Sequence, residues 1–327
     1  MLAILLSVSI SSCSDGMDEP QPPTATPQII FLFSPGGLGD MSYNDCILEG
    51  VQQFKKQHRD VDLFLYSPSK IEESERIFSD WLDRPESDIP VLFVLASSDY
   101  ENLAADALAR KQLTSNKKVL VFESRRDFGE GTSSFQISMF GASFLAGATA
   151  ASVCKNKAPL IVLANPSDSP ISLASDGFNA GYGKDCKVEY LADDWTGYVA
   201  ASLAYRRMGE WASSHDFIFP VAGGSNSGIY RYSREVSDCP FLAGVDVDQS
   251  ALSNRIVGSV VKHIDRLVME YLSTWLATGL LPESGVFGLE SGYVDWSLSQ
   301  RYRPEYETLV EINRPKAVEK EKEVLGL

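Results

Sequence analysis

Histidine is scarce in this chain: 327 residues contain three, His58, His215 and His263, each isolated. That argues against histidine-based catalysis and against a His-rich metal site. None of the five cysteines forms a CxxC or Cys/His spacing, which makes structural zinc a poor fit. Cations are few beside acids, 29 Lys and Arg against 44 Asp and Glu, for a formal net charge of −15. Binding a phosphate backbone takes clustered Lys and Arg, so the balance is wrong for nucleic acid, and equally wrong for an anionic lipid surface. Beyond the first dozen residues no apolar run approaches the roughly 20 residues that span a bilayer. No Gly-Lys-Ser/Thr follows a glycine loop, and no GxGxxG spacing occurs at the first strand, so a nucleotide P-loop is not expected. No metal or cofactor is called for.

What is present begins with Met1–Ser12, uncharged and mostly apolar or small, running into Ile10-Ser11-Ser12-Cys13. A hydrophobic segment that ends in small residues before a cysteine reads as a bacterial lipoprotein signal over 1–12, with Cys13 the acylated first residue of the mature chain. No Lys or Arg precedes Cys13, so the basic start of such a signal is missing. The stretch 13–27 is rich in Pro, Ser, Thr and acid and lacks any period, which predicts a flexible leash. The expected location is therefore extracytoplasmic, with a lipid as the only membrane contact.

About 300 residues remain, enough for two lobes. Hydrophobic residues make up 44% of the chain and aromatics 10%, which supports real cores. Short apolar runs alternate with amphipathic stretches almost to the end, the pattern of an α/β fold with mostly parallel sheets and helices on both faces. Strands are expected at 28–34, 61–66, 91–96, 118–123 and 135–138, then in a second series at 160–164, 187–191, 217–221 and 241–245. Two series in tandem imply two similar lobes. Leu252–Leu276 reads as one helix, and Lys316–Glu323, alternating acid and base, as a solvated, frayed one.

Ligands of open α/β sheets bind beyond the carboxyl ends of the strands. The loops to inspect are therefore Ser34–Asp45, Ala96–Tyr100, Asn165–Ser169, Ala192–Trp195, Ala222–Gly228 and Asp246–Gln249. In the first, three glycines precede Asp40, Ser42, Tyr43 and Asn44; either Asp40 and Asn44 supply polar ligand contacts and Tyr43 a ring, or Asp40 or Ser42 caps the next helix and Tyr43 packs inside. Gly223 and Gly224 open a second glycine-rich turn. Asp246 follows an apolar strand, where its carboxylate can accept two hydrogen bonds from a vicinal diol; Asp248 and Gln249 orient the turn. Tyr100 and Trp195, just past strands, are further ring candidates.

Six segments together carry a resemblance: GGLGDMSYNDCILEGVQQF (36–54), SFLAGATAA (143–151), GFNAGY (177–182), DFIFPVAGGSNSGIY (216–230), GVDVDQ (244–249) and GSVVKHID (258–265). In this order they resemble the basic membrane protein family of bacterial substrate-binding lipoproteins, which includes the purine nucleoside receptor A type. The resemblance implies a type I periplasmic-binding-protein fold, two Rossmann-like lobes joined by crossing strands around a ligand cleft. It divides the chain into 28–136 with about 251–284 as one lobe, 137–250 with about 285–313 as the other, and a charged tail at 314–327. It further implies aromatic rings that sandwich a base, an aspartate for ribose hydroxyls and a lysine that reaches the ligand, which nominates Asp40, Tyr43, Asn44, Phe219, Gly223, Gly224, Asp246 and Lys262, with Lys262 in a helix.

The chain departs from the family pattern near this site: Tyr43 stands for the usual Phe, Met41 for a basic residue and Gly258 for a threonine, and no acid precedes the SFLAG segment. Cys154, Cys186 and Cys239 each precede a strand of the second lobe; if its first two strands are neighbours, Cys154 and Cys186 can bridge, while Cys46 stays free. The resulting expectation is a solute-binding lipoprotein, not an enzyme, that delivers a small polar ring-bearing molecule, most simply a nucleoside, to an ABC permease. A ligand sensor or surface-capture lipoprotein is the alternative from another class, because acidic residues follow Cys13. A nucleoside hydrolase would need clustered carboxylates that the loops do not plainly offer.

Overall fold

The structure, a computed structural model, describes residues 25–35 and 37–327. The signal at 1–12, Cys13 and most of the leash lie outside the described residues. The chain first builds β1 (Gln28–Phe33), α1 (Tyr43–Gln57), β2 (Asp62–Tyr66), α2 (Ile71–Asp83), β3 (Val91–Ala96), α3 (Glu101–Arg110), β4 (Lys117–Phe122) and β5 (Thr132–Ile137). It crosses into a second lobe with α4 (Phe140–Val153), β6 (Leu160–Leu163), α5 (Ser169–Tyr182), β7 (Lys187–Tyr190), α6 (Ala201–Ser214), β8 (Phe217–Val221), α7 (Asn226–Glu235), β9 (Phe241–Asp246) and β10 (Ile256–Lys262). It returns to the first lobe for α8 (Ile264–Thr278) and β11 (Gly285–Phe287), then ends in the second with β12 (Val294–Leu298) and α9 (Arg303–Leu325).

Each lobe holds a six-stranded sheet, ordered β11-β5-β4-β3-β1-β2 in the first and β12-β10-β9-β8-β6-β7 in the second. All pairings are parallel except β10 with β12. Central strands such as β3 (VLFVLA) are buried at every position, as parallel strands covered on both faces must be. The edge strand β2 is largely exposed and the edge strand β7 half-buried. In both sheets the strand order reverses direction beside the first strand, so the loops after β1 and β3, and after β6 and β8, flank a crevice in each lobe.

The second lobe is anchored by the contact of α4 with α5, where glycines let two helix backbones touch. A Cβ on Gly147 would lie 2.1 Å from the Phe178 carbonyl oxygen, and one on Gly181 would lie 1.9 Å from that of Phe144. In the first lobe α8 packs against α1, so a helix late in the chain completes that lobe.

Several expectations are corrected. The segment 252–276 is not one helix: its β-branched run Ile256-Val257-Gly258-Ser259-Val260-Val261 forms β10 beside β9, and only Ile264 onward is helical. The return to the first lobe thus falls after Lys262 rather than near 251, and β11 pairs with β5 in the first sheet although 285–313 was assigned to the second lobe. The charged tail is no frayed end but the last turns of α9, and its Glu321 is buried. The Cys154–Cys186 bridge is also absent, since Cys46, Cys154, Cys186 and Cys239 are all free. Cys154 caps the end of α4 and the Cys186 Sγ lies 3.8 Å from the Lys184 carbonyl oxygen. Burial pushes the two thiols up to about 12 and about 11. Among the described residues no helix is long and apolar enough to cross a membrane.

Candidate functional site

The strand ends of the two lobes face each other across one cleft, which encloses about 660 Å³ with its open mouth included. From the first lobe come Ser34, Asp40, Tyr43, Asn44, Asp99 and Glu123; from the second come Asp168, Trp195, Tyr198, Gly223, Asp246 and Lys262. The lobes touch at several polar contacts. Ser42 Oγ donates to Asp246, Gln249 Nε2 donates to the Met41 carbonyl at 3.1 Å, and Ser98 Oγ reaches Asp168 at 3.5 Å. Lys262 Nζ pairs with Glu123.

Asp40 does line the cleft, yet its carboxylate is spent on α1. It accepts from the backbone N–H of Ser42 and Asn44, both at 2.9 Å, and of Asp45 at 3.2 Å, and from Asn44 Nδ2 at 3.0 Å. These are orphan donors of a helix start, which a carboxylate satisfies best. The cap in turn fixes Tyr43 and Asn44, the first two residues of α1, at the cleft wall. The Tyr43 ring lies under Lys262 Nζ, 4.8 Å from its centroid, while its hydroxyl and the Asn44 Oδ1 are buried without a partner. Burial, and then the charges of Glu123 and Asp246, raise the Tyr43 phenol well above its ordinary range.

Asp246 and Glu123 share an unusual backbone. Both have positive φ, 68° and 55°, a conformation that costs a side-chain-bearing residue energy and clusters at functional sites. The kink turns each carboxylate off the end of its strand, β9 or β4, toward Lys262. Burial raises the Asp246 carboxyl above the usual range, and Lys262 and the Ser42 hydroxyl pull it back. Lys262 stands at the last position of β10, not in a helix, and this places its ammonium between the lobes.

On the opposite wall Trp195 and Tyr198 stack at 5.6 Å with a 17° angle between rings, carried by a single 3-10 turn, Trp195–Val199. The Tyr198 hydroxyl donates to Asp168. Gly223 is required beneath this ring: its φ is +50°, and a Cβ there would lie 2.9 Å from Tyr198 Cδ1. Gly224 faces Asp40 Cβ across the lobes, its own Cβ position 3.5 Å away.

Two nominated rings are elsewhere. Phe219 is fully buried within β8 and stacks on Phe178 of α5, centroids 4.9 Å apart, because its place in the strand points it at the helix layer rather than at the strand's end. Tyr100 is buried in the first lobe, its hydroxyl donating to the Phe33 carbonyl and lying 3.1 Å from Ser74 Oγ. The cleft residues that sequence reasoning passed over are Asp99, Glu123, Asp168 and Tyr198. Asp99 and Asp168 sit inside loops already singled out as post-strand, so position plus acidity was the available signal.

Comparison with known proteins gives a consistent pattern. The family model described as Bmp, ABC transporter substrate-binding protein PnrA-like, matches residues 28–326. Basic membrane protein D of Borreliella burgdorferi (strain JD1) is 37% identical over 67 residues, which is 20% of this chain and 20% of that protein. Among solved structures, a solute-binding protein of an ABC transporter system from Aeropyrum pernix K1 superimposes with a TM-score of 0.69 at 19% identity, covering 91% of this chain and 86% of that one. A transcriptional activator of the comK gene from Bacillus halodurans does so with a TM-score of 0.63 at 16% identity, covering 88% and 97%. At these identities the superpositions establish a shared fold of two parallel-sheet lobes and nothing finer.

Proposed function

This chain belongs to the Bmp family of PnrA-like ABC transporter substrate-binding proteins, and from that premise we propose that it is an extracytoplasmic lipoprotein that holds a nucleoside in its interlobe cleft for an ABC permease. The observation that carries the reading is the pairing of chemistries in the cleft: Tyr43 from one lobe and the Trp195–Tyr198 stack from the other supply ring faces, and Asp246 with Lys262 supplies polar contacts at the strand ends. A planar base gains burial and stacking against such rings. A vicinal diol donates well to a carboxylate that closure has removed from water, as Asp246 is at 7 % exposure. Tyr198 takes the place first given to Phe219. Asn44 and the Gly223–Gly224 turn complete the set, while Asp40 acts through its cap on α1. Binding requires no reaction, and affinity arises from contacts that both lobes make only when closed. Anchoring through Cys13 belongs to the same proposal.

Native mass spectrometry of the protein purified without refolding tests it, with a retained nucleoside as the expected mass difference. A thermal-shift screen should then show stabilisation by nucleosides that Asp246→Ala abolishes. No stabilisation by any nucleoside would end this reading and leave the surface-capture alternative, which the acidic residues after Cys13 favour.

A further inference from the structure

We propose that Asp99 and Asp168, one from each lobe, read the hydrogen-donating edge of the bound ring, so that the cleft selects solutes presenting an exocyclic amine beside a ring N–H over similar rings lacking that amine. The inference rests on the reading that a nucleoside-like solute occupies this cleft.

Both carboxylates are held by neighbours through one oxygen and left open at the other. Asp99 Oδ2 accepts from Ser34 Oγ at 2.9 Å, and Asp168 Oδ2 accepts from the Tyr198 hydroxyl and from Ser98 Oγ at 3.5 Å. The remaining oxygen of each, Oδ1, is buried with no partner. Asp168 is 4 % exposed, so water is a poor substitute donor for it. A buried acceptor without a donor is costly, and a ligand N–H that meets it relieves that cost. Two such acceptors in one cleft ask for two donors.

The surroundings favour N–H donors over any anion. Lys262 is the cation lining the main cavity, and its ammonium is already engaged by Glu123 and placed over Tyr43. Arg125 and Arg126 line an adjoining cavity that shares Asp99 and Asp168, where Arg125 donates to the Leu325 carbonyl at 2.8 Å and Arg126 lies over the Phe128 ring. Asp246 and Asp40 add further negative charge to the same walls. A carbonyl or phosphate oxygen facing Asp99 and Asp168 would meet lone pairs, whereas an amine and a ring N–H would make charge-assisted bonds to both. Because the acceptors come from opposite lobes, a ligand that satisfies both also ties the lobes together. Burial above all, with the charge of Asp168 acting on Asp99 and that of Glu123 on Asp168, raises Asp99 to about 7 and Asp168 to about 6, although hydrogen bonds to one oxygen of each pull back.

Guanosine, inosine and uridine are the probes, titrated calorimetrically into the protein at pH 8. Guanosine and inosine differ by one amine, so wild type should bind guanosine roughly tenfold or more tightly than inosine, and uridine more weakly still. Asp99→Asn and Asp168→Asn should each bring the guanosine-to-inosine ratio to within about threefold of one. Asp246→Asn should weaken both ligands alike and preserve the ratio. Binding of all three with a wild-type ratio near one, a comparison that needs no variant, overturns the assignment, as does a ratio unchanged in both Asn variants. Absence of binding by every nucleoside is the distinct result that removes the underlying reading and the inference with it.

Discussion

Lys262, at the end of β10 in the second lobe, and Glu123, just past β4 in the first, form an ion pair in which each side chain is 4 % exposed. Taking both charges out of water is expensive, so the pair adds little net stability by itself, but removing one member strands the other. Lys262→Ala should therefore lower the unfolding free energy by roughly 3–5 kcal/mol in urea titrations. Replacing both with apolar residues, Lys262→Met with Glu123→Leu, should recover most of that loss. A single variant as stable as wild type would show that the carboxylate finds another partner.

The acids of the cleft give a pH dependence with a definite sign. Burial raises Asp99 to about 7 and Asp168 to about 6, against an ordinary value of 3.8. Between about pH 4 and pH 7 the folded protein thus binds more protons at these sites than the unfolded chain, and their contribution to stability falls as pH rises. Asp168 acts on Asp99, Glu123 and Lys262 act on Asp168, and Arg125 and Arg126 line a cavity that both share. Without ligand, Asp99→Asn should be more stable than wild type at pH 8, by at most roughly 4 kcal/mol, and the gap should close toward pH 4. Thermal unfolding midpoints of the two proteins across this range check it; a gap that widens on acidification contradicts the assignment.

The fold was far more legible than the fine geometry of the cleft. Alternating apolar runs placed nine strands, and the rule that ligands sit past strand ends led directly to the loops holding Asp40, Tyr43, Asp99, Asp168, Gly223 and Asp246. What failed depended on direction within an element. Phe219 lies inside β8, so its side chain goes to a sheet face and meets Phe178. The run ending in Lys262 could be helix or strand by its apolar content, and only pairing with β9 decides. By its apolar run Glu123 closes a strand, yet a left-handed backbone at that residue re-aims it, and nothing local announces such a turn.

Gly223 offers a test of the aromatic wall that is independent of charge. Its φ of +50° already disfavours any side chain, and a methyl there would press on the Tyr198 ring from 2.9 Å. Gly223→Ala should shift that ring, weakening the proposed nucleoside binding by roughly tenfold while costing about 1–2 kcal/mol of stability. Tyr198→Phe, which keeps the ring and removes only the donor to Asp168, should leave stacking intact. Affinity unchanged in Gly223→Ala would mean that Tyr198 does not contact the ligand.

Glu321, near the end of α9, shows how a charge run that looks solvated can serve the hinge. Its Oε1 accepts from Ser138 Oγ at 2.7 Å and from the Gly141 N–H at 2.9 Å, and its Oε2 accepts from the Leu289 N–H at 2.6 Å. Ser138 lies on the crossing from β5 to α4 with Gly141 in the first turn of α4, and Leu289 lies on the crossing from β11 to β12, so one carboxylate grips two of the three chain passages between lobes. Gly288 makes room for it, since a Cβ there would stand 2.3 Å from Glu321 Oε2. Glu321→Ala orphans three buried donors and should cost roughly 2–5 kcal/mol, with hydrogen exchange at Gly141 and Leu289 accelerated before the sheets lose protection. Glu321→Gln keeps one good acceptor and should fall between. If the Ala variant melts with wild type and both amides stay protected, the tail carries no part of the hinge.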